Sequence, residues 1–166
     1  MKGPDEGPFV VLRPLVDADV PAIARACDDA ATARFIPDMP APYTEADARS
    51  FLAAVRANWA DGSIYVWAIT DGTPDLLGTV ALHVGARTAV GYWVAPWARG
   101  RGAATTALRL LSEYGLQALG LRSIVLETAL ENHASQRVAV KAGYAHVGIV
   151  DDIHGKFPAV RRYHRP

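Results

Sequence analysis

The sequence predicts one mixed α/β domain, a central twisted sheet of about six to seven strands flanked by about four helices. Three observations carry this reading. Residues 63–70, 76–84 and 88–94 are rich in strand formers and are separated by the turn residues 71–75 and 85–87, which describes an antiparallel meander. The third of these segments runs through Pro96 into Arg99-Gly100-Arg101-Gly102, and apolar residues then recur at helical spacing: Ala104, Ala107, Leu108, Leu111, Tyr114, Ala118 and Leu119. A further strand follows at 123–129. A strand, a helix and a strand joined this way imply parallel neighbours, so the sheet is mixed.

The remaining elements follow in order. Met1 to Pro8, with two glycines and two prolines, reads as a loose leader, and residues 9–166 as the domain. Residues 9–13 form a short strand closed by Pro14. Asp17 or Asp19 caps a first helix that tolerates Pro21 in its first turn and carries Ile23, Ala26 and Cys27. Residues 35–42 are a Pro-rich loop with apolar side chains. Thr44 and Asp47 have capping-box spacing before a helix with Phe51, Leu52, Val55 and Trp59 on one face. Gly120 suits the end of the 103–119 helix. A short helix starts at Asn132 or Ala134 and ends at Gly143, a strand covers 144–150, a polar turn 151–155, and a closing strand 157–163.

Composition bounds the function. The chain has 166 residues, 51% hydrophobic and 20% charged, which suits a packed globular domain. Lys+Arg and Asp+Glu number 17 each, so there is no basic excess of the kind nucleic-acid binding favours. A single cysteine excludes an intrachain disulfide and suits a reducing cytoplasm. No secretory leader and no membrane span are expected. The five histidines lack metal-site spacing, so no metal is expected. No serine sits in a G-x-S-x-G turn.

The segment at 99–105 is the strongest chemical signal. Glycines allow a close backbone approach, the first N–H groups of a helix lack intrahelical partners, and two arginines add charge. Together these suit a phosphate-bearing ligand. The P-loop pattern is absent, and the dinucleotide pattern fails at Thr105. Arg99-x-x-Gly102-x-Ala104 after the 92–94 strand resembles the acetyl-CoA pyrophosphate loop of the GNAT N-acetyltransferase superfamily. Glu127 to Asn132, Asn132-x-x-Ser135 and Lys141-Ala142-Gly143-Tyr144 are similar to further signatures of that superfamily, in order, over about half of the chain. Asn132-x-x-Ser135 resembles the branch of ribosomal-protein N-terminal acetyltransferases and their small-molecule relatives.

The resemblance implies acetyl-CoA as cosubstrate, held by Trp93, Val94, Ala95, Arg99, Gly100, Arg101, Gly102, Ala103, Ala104, Thr105, Asn132 and Ser135. It implies an amine acceptor, a protein N-terminus or a small molecule. An α-amine, with a pKa of about 7.7–8, needs less help to lose its proton than a Lys amine near 10.4. The N–H of Val94 or Ala95 would hold the oxyanion. Glu127 is the candidate base; its other reading is a salt-bridged strand glutamate. Ser135 is the candidate donor to the leaving thiolate; its other reading is a helix-start residue bonding backbone. Relatives often carry a tyrosine where this chain has Ala139, or a carboxylate near 147, where it has Ala145-His146-Val147-Gly148. His146 either replaces one of these or is a surface residue. Phe35, Tyr43, Trp67 and His83 are the candidate acceptor contacts, alongside Met39. A non-catalytic acyl-CoA-binding module and a transferase of a longer acyl group are the alternatives. A homodimer through a sheet edge or the C-terminal hairpin is compatible with the pattern.

Overall fold

The computed structural model describes residues 9–166; the expected leader, 1–8, lies outside them. Among the described residues are seven strands and five α-helices: β1 Val11–Pro14, α1 Val20–Cys27, α2 Ala30–Phe35, α3 Glu45–Asp61, β2 Ile64–Thr70, β3 Gly78–His83, β4 Ala89–Val94, α4 Ala103–Glu113, β5 Ile124–Ala129, α5 His133–Lys141, β6 Ala145–Val150 and β7 Val160–Arg165. The strands form one sheet in the order β1-β2-β3-β4-β5-β7-β6. Every adjacent pair is antiparallel except β4 and β5, which are parallel as the connection through α4 requires.

That parallel contact is short. Only Ala89↔Val125 and Val90↔Leu126 pair, and beyond them β4 and β5 separate. The residues that follow on each strand, Gly91–Val94 and Glu127–Ala129, therefore face a gap in the sheet.

Strand alternation sorts the side chains onto two faces. Ile69, Val80, Leu82, Val90, Leu126 and Tyr163 pack with Ala107, Leu108 and Leu111 of α4, with Tyr65, Trp67 and Tyr92 against them. Val66 and Ala68 pack with Ile23, Leu52 and Val55 of α1 and α3, with Ile64, Ala81 and Trp93 against them. The two cores are thus separated by the sheet.

Local chemistry explains most boundaries. Thr44 Oγ1 accepts from Asp47 N–H (3.3 Å), while Thr44 N–H donates to Asp47 (2.8 Å), so the capping box is made. Asp19 carries the start of the first helix: it accepts from Val16 N–H (2.9 Å) and, through both oxygens, from Arg13 (2.7 and 2.8 Å). α2 is too short for periodicity to reveal; Asp29 caps it by accepting from Thr32 N–H (2.8 Å).

The 103–119 helix changes character at Tyr114, widening to a π turn that bonds Leu119 N–H to Tyr114 O (3.2 Å). Gly115 sits there against the sheet, where an added Cβ would lie 3.0 Å from Leu121 and 3.1 Å from Ile124. The closing strand begins later than expected, at Val160. Asp152 accepts from the N–H groups of His154 and Phe157 (2.9 Å each), which curls the preceding residues into a turn, and Pro158 has no N–H for a ladder.

Candidate active site

A cleft of about 1440 Å³ runs through the gap between β4 and β5. One end reaches the start of α4. There Gly100 and Gly102 adopt left-handed conformations, φ +75° and +79°. Thr106 N–H makes the first bond of α4, to Gly102 O (3.1 Å). The N–H groups of Ala103, Ala104 and Thr105 precede it, and no side chain caps them. Gly100, Gly102, Ala103, Ala104 and Thr105 line this end, as do Arg137 and Lys141 from one face of α5.

The other end lies on the α1–α3 face of the sheet. Phe35, Tyr43 and His83 line it, with Met39, Phe51 and Phe157. Its roof is α2 tied to the turn that precedes β7. Lys156 Nζ donates to Ala33 O (2.6 Å) and to Ile36 O at the end of α2, and the rings of Phe35 and Phe157 lie 6.4 Å apart. Burial is the main cause that pushes the Tyr43 phenol up to about 12, while the His83 imidazole is pushed down, by desolvation first and then by His154.

Three expected contacts lie elsewhere. Trp67 is on the opposite face of the sheet from that end of the cleft, packed edge-on to Trp59 (5.2 Å) and Tyr114 (6.1 Å). Both Trp67 and His83 lie on expected strands; the β2–β3 register, which pairs Trp67 with Val80 and His83 with Ile64, sends them to opposite faces. Ala95 is fully buried outside the cleft lining, and its N–H donates to Leu77 O (2.8 Å), so it is not free to hold an oxyanion. Alternate residues of an antiparallel strand point their N–H groups to opposite edges, so the Val94 N–H faces away from β3 toward the gap. Arg101 is exposed and outside the lining, because it sits between two left-handed glycines on the solvent side of the turn.

Arg99 lines the cleft but is already paired. Its Nη2 donates to Asp29 (2.6 Å) and to Thr32 Oγ1 (2.7 Å), clamping the glycine turn to the start of α2. The Arg99 hydrogen bond is the first cause that holds the Asp29 carboxyl below its usual range.

Glu127 lies on the floor of the cleft between two guanidiniums: Arg87 Nη1 (2.9 Å) and Arg162 Nε (2.8 Å) both donate to Oε1. No local sequence signal pairs either arginine with Glu127. Arg162 stands opposite Glu127 in the β5–β7 register, and Arg87 reaches it from the β3–β4 turn. The salt-bridged reading of Glu127 is therefore present, with Oε2 outside both contacts.

Ser135 and Asn132 divide their expected tasks differently. Asn132 Oδ1 accepts from Ser135 N–H (3.1 Å) and so does the helix capping. The Ser135 hydroxyl is left for another partner, accepting from the Tyr92 hydroxyl (2.9 Å). His146, by contrast, is exposed on the edge hairpin, against the Tyr163 ring at 5.3 Å, and does not line the cleft. Among the described residues no group of three or more His, Cys, Asp or Glu could hold a metal ion, and no helix is long and apolar enough to cross a membrane.

A family model for the acetyltransferase (GNAT) domain matches residues 10–145. The chain belongs to the GNAT acetyltransferase family. Among curated relatives it is similar to the Bacillus subtilis protein YdaF, provisionally named a ribosomal N-acetyltransferase, at 30% identity over 58% of this chain and 55% of that protein. The chain spans about half the length of the curated relatives it matches. Its fold is that of Mycobacterium smegmatis RimJ in complex with CoA-disulfide, at TM-score 0.81 and 23% identity over 94% of this chain and 81% of that one. It is equally that of RimL, a ribosomal L7/L12 α-N-protein acetyltransferase in complex with coenzyme A, at TM-score 0.82 and 19% identity over 95% and 93%. The GNAT fold read from the loop and strand order is thus the fold of this chain.

Proposed function

We propose that this protein transfers an acetyl group from acetyl-CoA directly to a primary amine, with a protein N-terminus as the preferred acceptor. The observation that carries this is the continuous cleft between the diverging β4 and β5. It joins uncapped N–H groups at the start of α4 to an aromatic chamber on the other face of the sheet. Acetyl-CoA binding is supported by the complexes of RimJ and RimL with forms of coenzyme A, and a ribosomal-protein acceptor by the names of RimL and YdaF. Such an acceptor would be met in the cytoplasm.

In this reading the pyrophosphate takes the N–H groups of Ala103, Ala104 and Thr105, with Arg137 and Lys141 adding positive charge. The pantetheine arm then fills the gap beside β4, where Asn132 Nδ2 bonds one of its amides. The acceptor amine enters from the chamber under Phe35, Tyr43 and His83. Its nitrogen attacks the thioester carbonyl, and the Val94 N–H holds the oxyanion. The C–S bond then breaks with its electron pair on sulfur, where the Ser135 hydroxyl donates. The proton shed by nitrogen passes to Glu127 through its free oxygen or a water.

The two guanidiniums on Oε1 give the rival role for Glu127 a concrete form, a structural brace for the chamber floor. Glu127→Gln separates the two. As a base its loss lowers kcat by roughly a hundredfold, with acetyl-CoA affinity unchanged. As a brace its loss lowers stability instead. Titration of acetyl-CoA into the wild-type chain by calorimetry comes first. A folded protein that binds no acetyl-CoA refutes the proposal, and binding without turnover on a panel of N-terminal peptides and small amines leaves an acyl-CoA-binding module in its place.

A further inference from the structure

Tyr92 has no role in the scheme above, yet its hydroxyl reaches from β4 to Ser135 at the start of α5. It lies on β4 two residues beyond the last β4–β5 pair, on the α4–α5 face, and it lines the cleft. Its hydroxyl donates to Ser135 Oγ at 2.9 Å. Ser135 is held independently through its backbone, because its N–H is fixed by Asn132 (3.1 Å). An oxygen that accepts one hydrogen bond turns its own O–H in another direction, and a donor already polarised by a neighbour donates more strongly. Ala139, one turn further along α5, is buried and carries no polar group, so the phenol reaches this helix from β4 instead.

We propose that Tyr92 is a positioning residue that aims the Ser135 hydroxyl at the departing coenzyme A sulfur and strengthens it as a donor. The inference rests on the acetyl-transfer reading given above. Tyr92 never gives up its proton. Burial pushes its phenol up to about 12, against the opposing pull of Ser135, so it remains a donor wherever an amine acceptor is free to react. The sulfur keeps the electron pair of the broken C–S bond, is held by the hydrogen bond from Ser135, and takes its proton from solvent on release. Tyr92 stabilises that arrangement at one remove, through the serine oxygen.

The thiol of bound coenzyme A tests this without any acceptor. Its titration is followed by ultraviolet thiolate absorbance in complexes of the full chain with coenzyme A. The charged groups lining the same cleft, the carboxylates Asp38, Asp47, Glu127 and Asp152 and the cations Arg87, Arg99, Arg137 and Lys141, are unchanged in every variant, as are His83 and His154. In the wild type the bound thiol titrates below the free one. Ser135→Ala moves it up toward the free value, and Tyr92→Phe moves it part of the way. The double variant goes no further than Ser135→Ala alone, because the phenol acts only through the serine. With a competent acceptor, Tyr92→Phe lowers kcat by roughly three- to tenfold, the worth of one hydrogen bond, and leaves the KM for acetyl-CoA within about twofold.

Tyr92→Phe keeps the ring, so the packing on β4 is preserved, and circular dichroism checks the fold. A Tyr92→Phe complex that titrates like the wild type overturns the inference. So do Tyr92 and Ser135 shifts that add. A wild type that binds no coenzyme A removes the acetyl-transfer reading itself, which separates that failure from this one.

Discussion

Gly102→Asp should weaken coenzyme A binding strongly while leaving the fold nearly as stable. The backbone at Gly102 has φ +79° and ψ 1°, the left-handed conformation. Alanine there costs about 1–2 kcal/mol, whereas aspartate tolerates it better and is also a favoured residue at a helix start. The net stability change for aspartate is therefore about 1 kcal/mol or less. For the ligand the change is electrostatic. A carboxylate about 6 Å from a pyrophosphate with two charges is repelled by about 1.4 kcal/mol in water and by about 5.5 kcal/mol at an effective dielectric of 20.

Residues 100–102 are exposed, so the lower part of that range applies. About 2–3 kcal/mol corresponds to a loss of roughly 30- to 150-fold in affinity. Calorimetry with coenzyme A measures it, and Gly102→Ala is the control that carries the backbone strain without the charge. The aspartate penalty should shrink as salt rises, because a Debye length of about 10 Å at 0.1 M already screens an exposed pair. Equal weakening by alanine and aspartate, or a penalty indifferent to salt, would refute the electrostatic reasoning.

Three other consequences follow from packing and burial. Trp67→Ala should cost about 3 kcal/mol in chemical denaturation, since it removes an aromatic packed against Trp59 and Tyr114, while acceptor KM stays at the wild-type value; a raised KM would show that Trp67 belongs to the chamber after all. Cys27, at 3% exposure, has its thiol pushed by burial from 9.0 to about 12, and burial likewise pushes Tyr43 and Tyr92 from 10.0 to about 12. The native state keeps protons that the unfolded chain gives up, so stability is full below pH 9 and falls as pH rises from 9 to 12. Alkylation of native Cys27 should stay slow and nearly flat between pH 7 and 9, and rapid labelling that rises with pH would contradict its burial.

What the sequence determines by itself is local. The strand, glycine turn and helix at 92–113 are legible because their signals lie within a few residues: strand formers, a proline stop, glycines where φ must be positive, and a 3.6-residue repeat. The capping box at Thr44 and the parallel β4–β5 connection are legible for the same reason, and they suffice to indicate the family.

The tertiary structure decides which groups meet. Arg87 and Arg162 reach Glu127 from 40 and 35 residues away, Tyr92 reaches Ser135 across 43, and Arg99 reaches Asp29 across 70. No local pattern encodes such pairs. They depend on strand register, on the parity that sends Trp67 and His83 to opposite faces, and on the separation of β4 from β5 after two residue pairs. Each of these is a property of the assembled sheet, because a hydrogen bond is made between positions in space, and the sequence brings its two ends together only once the strands between them have paired.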